Sequence, residues 1–148
     1  MLARNTFVAL VLTSLIGSIT IPAQAATGQA PHRQLLLAAG YGASTRPKVI
    51  SFHADWCPAC EQLQPAINKA KSRFADEMDF ISVNIDDEKN RDLVRLYKVR
   101  GVPAVVFINE RGKVVDSFMG YDTKALKRGL QELVHENKAI AATATTTQ

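Results

Sequence analysis

Two cysteines separated by two residues are the feature of this chain best suited to chemistry. Cys57 and Cys60 are the only cysteines among the 148 residues, and they lie within the segment Trp-Cys-Pro-Ala-Cys. A disulfide between residues three apart closes a very short loop, so it restricts the unfolded chain little and stabilises the fold little. The pair therefore favours thiol–disulfide exchange over a structural disulfide.

The cysteine pair is predicted to lie where a strand meets a helix. Residues 48–54 are rich in β-branched and aromatic side chains, which is typical of a buried strand. Residues 58–74 repeat apolar side chains every three or four positions, and Pro58 suits the first position of a helix. At this spacing the two cysteine Cα atoms would be about 5–6 Å apart, which a disulfide accepts.

This placement predicts different roles for the two sulfur atoms. At a helix N-terminus the free N–H groups and the helix dipole favour a thiolate, which is the attacking species in disulfide exchange. We therefore predict Cys57, at the exposed helix end, as the nucleophile and Cys60, facing inward, as the resolving thiol. A metal site is not expected, because structural zinc needs four ligands and the sequence has no second C-x-x-C and no closely spaced histidine pair. No cofactor is expected either.

The remaining pattern predicts an α/β fold. A strand–helix–strand start predicts parallel pairing with a right-handed crossover, and a turn at residues 109–112 joins the last two strands in a hairpin. The sheet is thus predicted to be mixed, with helices on both faces. Strands are predicted at residues 48–54, 79–85, 104–108 and 113–119, and helices at 32–39, 58–74, 86–97 (with Asp86 as N-cap) and 123–137.

The two ends of the chain differ in composition from the middle. Residues 1–25 combine Arg4, an apolar stretch and an Ala-Gln-Ala site, which is typical of a secretory signal cleaved before Ala26. A retained membrane anchor is the alternative. Residues 139–148 are Ala- and Thr-rich, and we predict them to be disordered because they bury too little apolar surface. Residues 30–138 would form one domain, exported to the periplasm or another extracytoplasmic compartment, and membrane-tethered only if the signal is retained.

Charge gives no indication of a nucleic-acid partner. The formal net charge is +4 at pH 7, and loss of Arg4 with the signal would leave +3. The basic residues are scattered and mostly alternate with acidic ones, as on solvated helix faces. No basic run interleaved with aromatic residues is present, so we expect no nucleic-acid binding. Separately, we expect the protein to be a monomer.

The segment Phe-His-Ala-Asp-Trp-Cys-Pro-Ala-Cys at residues 52–60 resembles the active-site segment of the thioredoxin family. Gly-Val-Pro at 101–103 resembles the cis-proline loop of that family, and the similarity extends over about residues 48–137. The resemblance implies a thioredoxin-like three-layer α/β/α fold whose central mixed sheet ends in an antiparallel hairpin. It also implies that Val102, Pro103 (in a cis peptide) and Gly120 bind substrate, with an ordinary trans proline at a strand start as the alternative for Pro103. The place of Trp56 beside Cys57 favours a substrate-binding role for its indole, with simple packing as the alternative.

Two departures from the family pattern concern the proton of the inner cysteine. Thioredoxins usually carry a buried Asp where Ser51 stands, and often a Lys where Ser82 stands. Cys60 must then lose its proton by another route, for which water, His53 and Glu61 are candidates. The alternatives for these two side chains are that His53 is a packing residue and that Glu61 faces solvent on the first helical turn.

The resemblance implies a protein-disulfide reductase that acts on client proteins outside the cytoplasm, with cytochrome c apoproteins as one expected client class. A membrane-embedded thiol-reductant transporter would then return the cysteines to the reduced state. Two alternatives stay open: a disulfide oxidase or isomerase with the same fold, and a binding or assembly module without redox turnover. Reduction is favoured because the sequence has no room for the inserted helical domain of dedicated oxidases or the dimerisation domain of isomerases.

Overall fold

The computed structural model describes residues 31–39, 41 and 44–145. Most element ends lie within one residue of those predicted, and the helices after β2 and at the C-terminus are the exceptions. In chain order the elements are α1 (Pro31–Ala38), β1 (Lys48–His53), α2 (Pro58–Phe74), β2 (Asp79–Asn84), a 3₁₀ turn (Glu88–Asn90), α3 (Arg91–Leu96), β3 (Ala104–Ile108), β4 (Val114–Met119) and α4 (Thr123–Thr145).

The strands form one mixed sheet in the order β2-β1-β3-β4. β1 and β2 are parallel, with α2 as their crossover, and their register places Ser51 opposite Ser82 and His53 opposite Asn84. β3 is antiparallel to both β1 and β4. The predicted parallel start and terminal hairpin are confirmed.

Helices cover both faces of the sheet, so the predicted three-layer arrangement is confirmed. Phe52 and Ile50 point to the face that packs against α1 and α3 through Leu36 and Leu93. The opposite face packs against α2 and α4, and its buried residues include Val49, Phe107, Leu63, Ile67, Leu126 and Leu133. Residues 49 and 51 on β1 thus face α2, because successive strand residues point to opposite faces.

The helix after β2 begins differently from the prediction. Asp87, and not Asp86, is the capping residue: its carboxylate accepts a hydrogen bond from the Lys89 N–H at 3.3 Å and starts the 3₁₀ turn that leads into α3. Asp86 as the N-cap was a wrong prediction. The reason is that the Asp86 carboxylate is engaged by another side chain near the cysteines, described below.

The C-terminal helix corrects a second prediction. α4 ends at Thr145, so the expectation of disorder over 139–148 is wrong for residues 139–145, while residues 146–148 lie outside the described residues. This segment need not nucleate a helix, because it continues one that already packs on the sheet, and alanine is the strongest helix former. The predicted signal or anchor at 1–25 also lies outside the described residues. In the part of the chain that is described, no helix has the length and apolarity to cross a membrane.

Gly129 generates a stability prediction, because this residue of α4 lies against the Phe107 ring. A Cβ atom at position 129 would overlap Phe107 Cε2, and the Phe107 side chain is fully buried. Alanine is the better helix former by about 1 kcal/mol, but overpacking costs about 1–3 kcal/mol. We expect Gly129→Ala to lower the free energy of unfolding of the oxidised protein, measured by urea titration.

Gly101→Ala is the matched control, since a Cβ at position 101 meets no atom within 4 Å. Its free energy of unfolding should stay within about 0.5 kcal/mol of the parent value. A Gly129→Ala protein as stable as the parent would contradict this packing of α4 on β3.

Candidate active site

Cys57 and Cys60 form a disulfide at the N-terminus of α2, with their Cα atoms 5.3 Å apart. Cys57 has extended backbone angles and is the N-cap residue of the helix, and Pro58 follows in the first turn. The Cys57 Sγ atom accepts a hydrogen bond from the Cys60 backbone N–H at 3.1 Å. In the reduced state the same N–H would stabilise a thiolate on Cys57, which supports its predicted role as the nucleophile.

The exposure of the two cysteines differs from the prediction. In this disulfide state Cys57 is 3% exposed and Cys60 is 8% exposed, so Cys57 is not the exposed member of the pair. The reason is that the pair forms a small buried cluster with Ala54, against which Ile85 and Val102 pack. The assignment of Cys57 as the nucleophile therefore rests on its N-cap position and not on exposure.

The loop before β3 lies beside the disulfide. The Val102–Pro103 peptide bond is cis, as predicted, and the Val102 side chain packs against the cysteine cluster. The Gly120 N–H donates a hydrogen bond to the Pro103 carbonyl at 2.7 Å, from a backbone with φ +88° that favours glycine. Val102 thus lies next to the cysteines, and Gly120 is joined to the residue that follows Val102.

The side chains predicted to influence Cys60 border an open pocket of about 240 Å³. Cys60, His53 and Glu61 all line it, together with Ala54, Asp55 and Gln64. Ser51 is buried and Ser82 is exposed, and both line a smaller neighbouring cavity of about 60 Å³ that shares Gln64 with the first. Cys60 therefore borders a polar region, and its neighbours there include ionisable groups.

A metal-binding cluster is absent from the described residues. Among them, no three His, Cys, Asp or Glu side chains come together in a way that could hold an ion. The cysteine pair alone could supply two of the four ligands of a structural zinc site.

Comparison with known proteins decides the family. The thioredoxin family model matches residues 36–132, most of the folded domain. This chain belongs to the thioredoxin family. Its Cys57–Cys60 disulfide, at the helix N-terminus beside a cis-proline loop, is a redox disulfide of the thiol–disulfide oxidoreductase type.

Individual relatives match parts of this thioredoxin-family chain. "Thiol:disulfide interchange protein TxlA" of Synechococcus elongatus is 37% identical over 71 residues, which cover 48% of this chain and 37% of that protein. "Thioredoxin-like protein HCF164, chloroplastic" of Arabidopsis thaliana is 30% identical over 96 residues, covering 60% of this chain and 37% of that protein. The matched segment thus spans little more than a third of either relative. The solved structure of Fasciola hepatica thioredoxin superposes with a TM-score of 0.54 at 28% identity, covering 66% of this chain and 86% of that one.

Trp56 of this thioredoxin-family chain is held at the surface by residues that lie outside the predicted site. The indole is 67% exposed, and its Nε1–H donates to the Asp86 carboxylate at 2.8 Å. The Asn84 side-chain oxygen accepts from the Asp86 N–H at 2.9 Å, and the Asn84 amide donates to Asp55 at 3.2 Å. The sequence could have predicted this network. The ends of the parallel strands β1 and β2 meet at one edge of the sheet, so the polar residues that follow each strand become neighbours.

The Trp56–Asp86 hydrogen bond can be tested by fluorescence, because Trp56 is the only tryptophan of the chain. Asp86→Ala should free the indole and lower the steady-state anisotropy of its emission. The free energy of unfolding should fall by only about 1 kcal/mol, the usual contribution of one hydrogen bond.

Asp92→Ala is the control, since it removes an exposed carboxylate of α3 that pairs with Arg95 and not with Trp56. The Asp92→Ala protein should keep the parent anisotropy. Equal anisotropy in the Asp86→Ala and parent proteins would show that Asp86 does not restrain the indole.

Proposed function

We propose that this chain is an exported protein-disulfide reductase that reduces disulfides in extracytoplasmic client proteins. The observation that carries the proposal is the Cys57–Cys60 disulfide at the N-terminus of α2, with the cis Pro103 loop packed beside it. The name "thiol:disulfide interchange protein" of a partial relative supports the same type of chemistry.

Reduction of a client would proceed in two exchange steps. The Cys57 thiolate attacks one sulfur of the client disulfide, forming a mixed disulfide and releasing the other client sulfur as a thiolate, which takes up a proton. The Cys60 thiolate then attacks Cys57 Sγ, which breaks the mixed disulfide and releases the second client thiol. The client gains two electrons, and the centre ends as the Cys57–Cys60 disulfide that the structure describes.

The surface around the cysteines suits an extended client segment. The Val102 backbone N–H and C=O have no hydrogen-bond partner among the described residues. Backbone groups left free in this way can pair with an extended peptide as a neighbouring strand would. The exposed Trp56 indole, directly before Cys57 in the chain, offers the client an apolar surface.

The proposals of export and of a redox partner rest on two separate arguments. The Arg4, apolar and Ala-Gln-Ala pattern of residues 1–25 favours secretion. Outside the cytoplasm the centre would need electrons from across the membrane, so we propose a membrane thiol-reductant transporter as the partner that reduces Cys57–Cys60. We propose that the protein acts as a monomer.

The surroundings of the pair favour the reducing direction. A strong oxidant in this class is one whose reduced thiolate form is highly stabilised. Here Cys57 Sγ has one helix N–H donor, while Ala54, Ile85 and Val102 surround the pair with apolar atoms that disfavour a thiolate.

Client trapping tests the proposal. With Cys60→Ser in the full-length protein, the second exchange step cannot occur, so mixed disulfides with clients should accumulate on Cys57. Non-reducing electrophoresis of the extracytoplasmic fraction, followed by mass spectrometry, would identify them. Cys57→Ser is the matched control and should accumulate no such adducts. If Cys60→Ser traps no client in that compartment, the proposed reductase function is wrong.

A further inference from the structure

Cys60 lines a polar pocket, whereas Cys57 does not. Cys60 is more exposed than Cys57 and lines the pocket of about 240 Å³ described above. Three ionisable side chains line the same pocket, namely His53, Asp55 and Glu61. Since Cys60 must lose its proton before it can attack a mixed disulfide, this pocket is where that proton can leave.

The pocket belongs to a polar layer between α2 and the β1–β2 edge of the sheet. The register sets His53 opposite Asn84 and Ser51 opposite Ser82, and these positions share the strand face that carries Val49 toward α2. Beside Ser51 and Ser82, α2 contributes Gln64 and Asn68 to the lining of the smaller cavity. The side chains of Gln64 and Asn68 are joined by a 2.8 Å hydrogen bond. Polar lining of this kind can hold water between the helix and the sheet.

We propose that His53 is the proton acceptor for Cys60 in the resolving step, either directly or through one water in this pocket. This inference rests on the proposed thiol–disulfide exchange. The Cys60 S–H bond breaks and its proton passes to a ring nitrogen of His53. The resulting thiolate attacks Cys57 Sγ, the Cys57–client S–S bond breaks, and the imidazolium returns the proton to the departing client thiolate or to water.

His53 fits this role better than the other ionisable groups that face it. Imidazole is the side-chain type that gains and loses protons near neutral pH, and the His53 ring has no hydrogen-bond or ion-pair partner in residues 31–39, 41 and 44–145. The Asp55 carboxylate already accepts from Asn84. Glu61 is exposed on the first turn of α2, and a carboxylate beside Cys60 would oppose a thiolate there.

The charged groups around His53 come from the end of β1, from α2 and from the segment after β2. Asp55, which follows β1, and Glu61 of α2 are negative groups that line the same pocket. From β2, the residue opposite His53 is the neutral Asn84, and the Asp86 carboxylate beyond it is bonded to Trp56.

The two exchange steps can be followed separately with the chromogenic disulfide DTNB. Reduced protein should release one thionitrobenzoate when Cys57 attacks and a second when Cys60 resolves the adduct, and only the first rate should depend on DTNB concentration. In stopped-flow measurements at neutral pH, we expect His53→Gln to slow the second phase on the order of a hundredfold. The first phase should change by less than twofold, and the defect should shrink as the pH is raised and Cys60 ionises unaided.

His135→Gln is the matched control, because His135 is an exposed residue of α4, and both of its phases should equal those of the parent. Added imidazole should partly restore the second phase of a His53→Ala protein. An unchanged second phase in His53→Gln, or one slowed equally at every pH, would overturn the proposal for His53. Absence of the first phase in the parent would instead contradict the proposed exchange at Cys57.

Discussion

The hydrogen bond from the Cys60 N–H to Cys57 Sγ is the interaction on which the rest of the site depends. It exists because the chain leaves β1 at His53 and Pro58 starts the helix immediately after Cys57, so that the Cys57 sulfur takes the place of a capping oxygen. The same geometry brings Cys60 within disulfide distance one turn later. Nucleophile stabilisation and disulfide closure therefore come from a single strand-to-helix junction.

The parallel pairing of β1 and β2 determines what surrounds this junction. Because both strands end at the same edge, Asp55, Asn84 and Asp86 meet there and hold Trp56 at the surface. One layer below, the same register gathers His53 and the paired serines under α2. The antiparallel return through β3 and β4 then joins Gly120 to Pro103, in the loop whose Val102 packs against the cysteines. The site is thus assembled from both pairing types of the mixed sheet.

Local pattern in the sequence was enough to predict α2 and β3 to the residue, because apolar period and proline position are properties of short segments. The cysteine geometry followed from that helix. The Trp56–Asp86 bond joins residues thirty positions apart, so it depends on strand register and is not visible in either segment alone. The burial of Cys57 depends in the same way on Val102, which a distant loop brings against the pair. The length of α4 was not predicted, because the composition of residues 139–148 alone favours disorder. The Ala-rich segment is helical because it continues a helix that already packs on the sheet.

We propose that this junction holds a moderately stabilised thiolate and that the protein therefore works as a reductant. The reduction potential of the Cys57–Cys60 pair, measured by equilibration of the protein with glutathione buffers, distinguishes a reductant from an oxidant. Potentials in this class run from about −270 mV for reductants to about −120 mV for oxidants. We predict a value in the reducing half of that range, since one helix N–H and an apolar cluster surround the pair. A value above about −150 mV would contradict a reducing role.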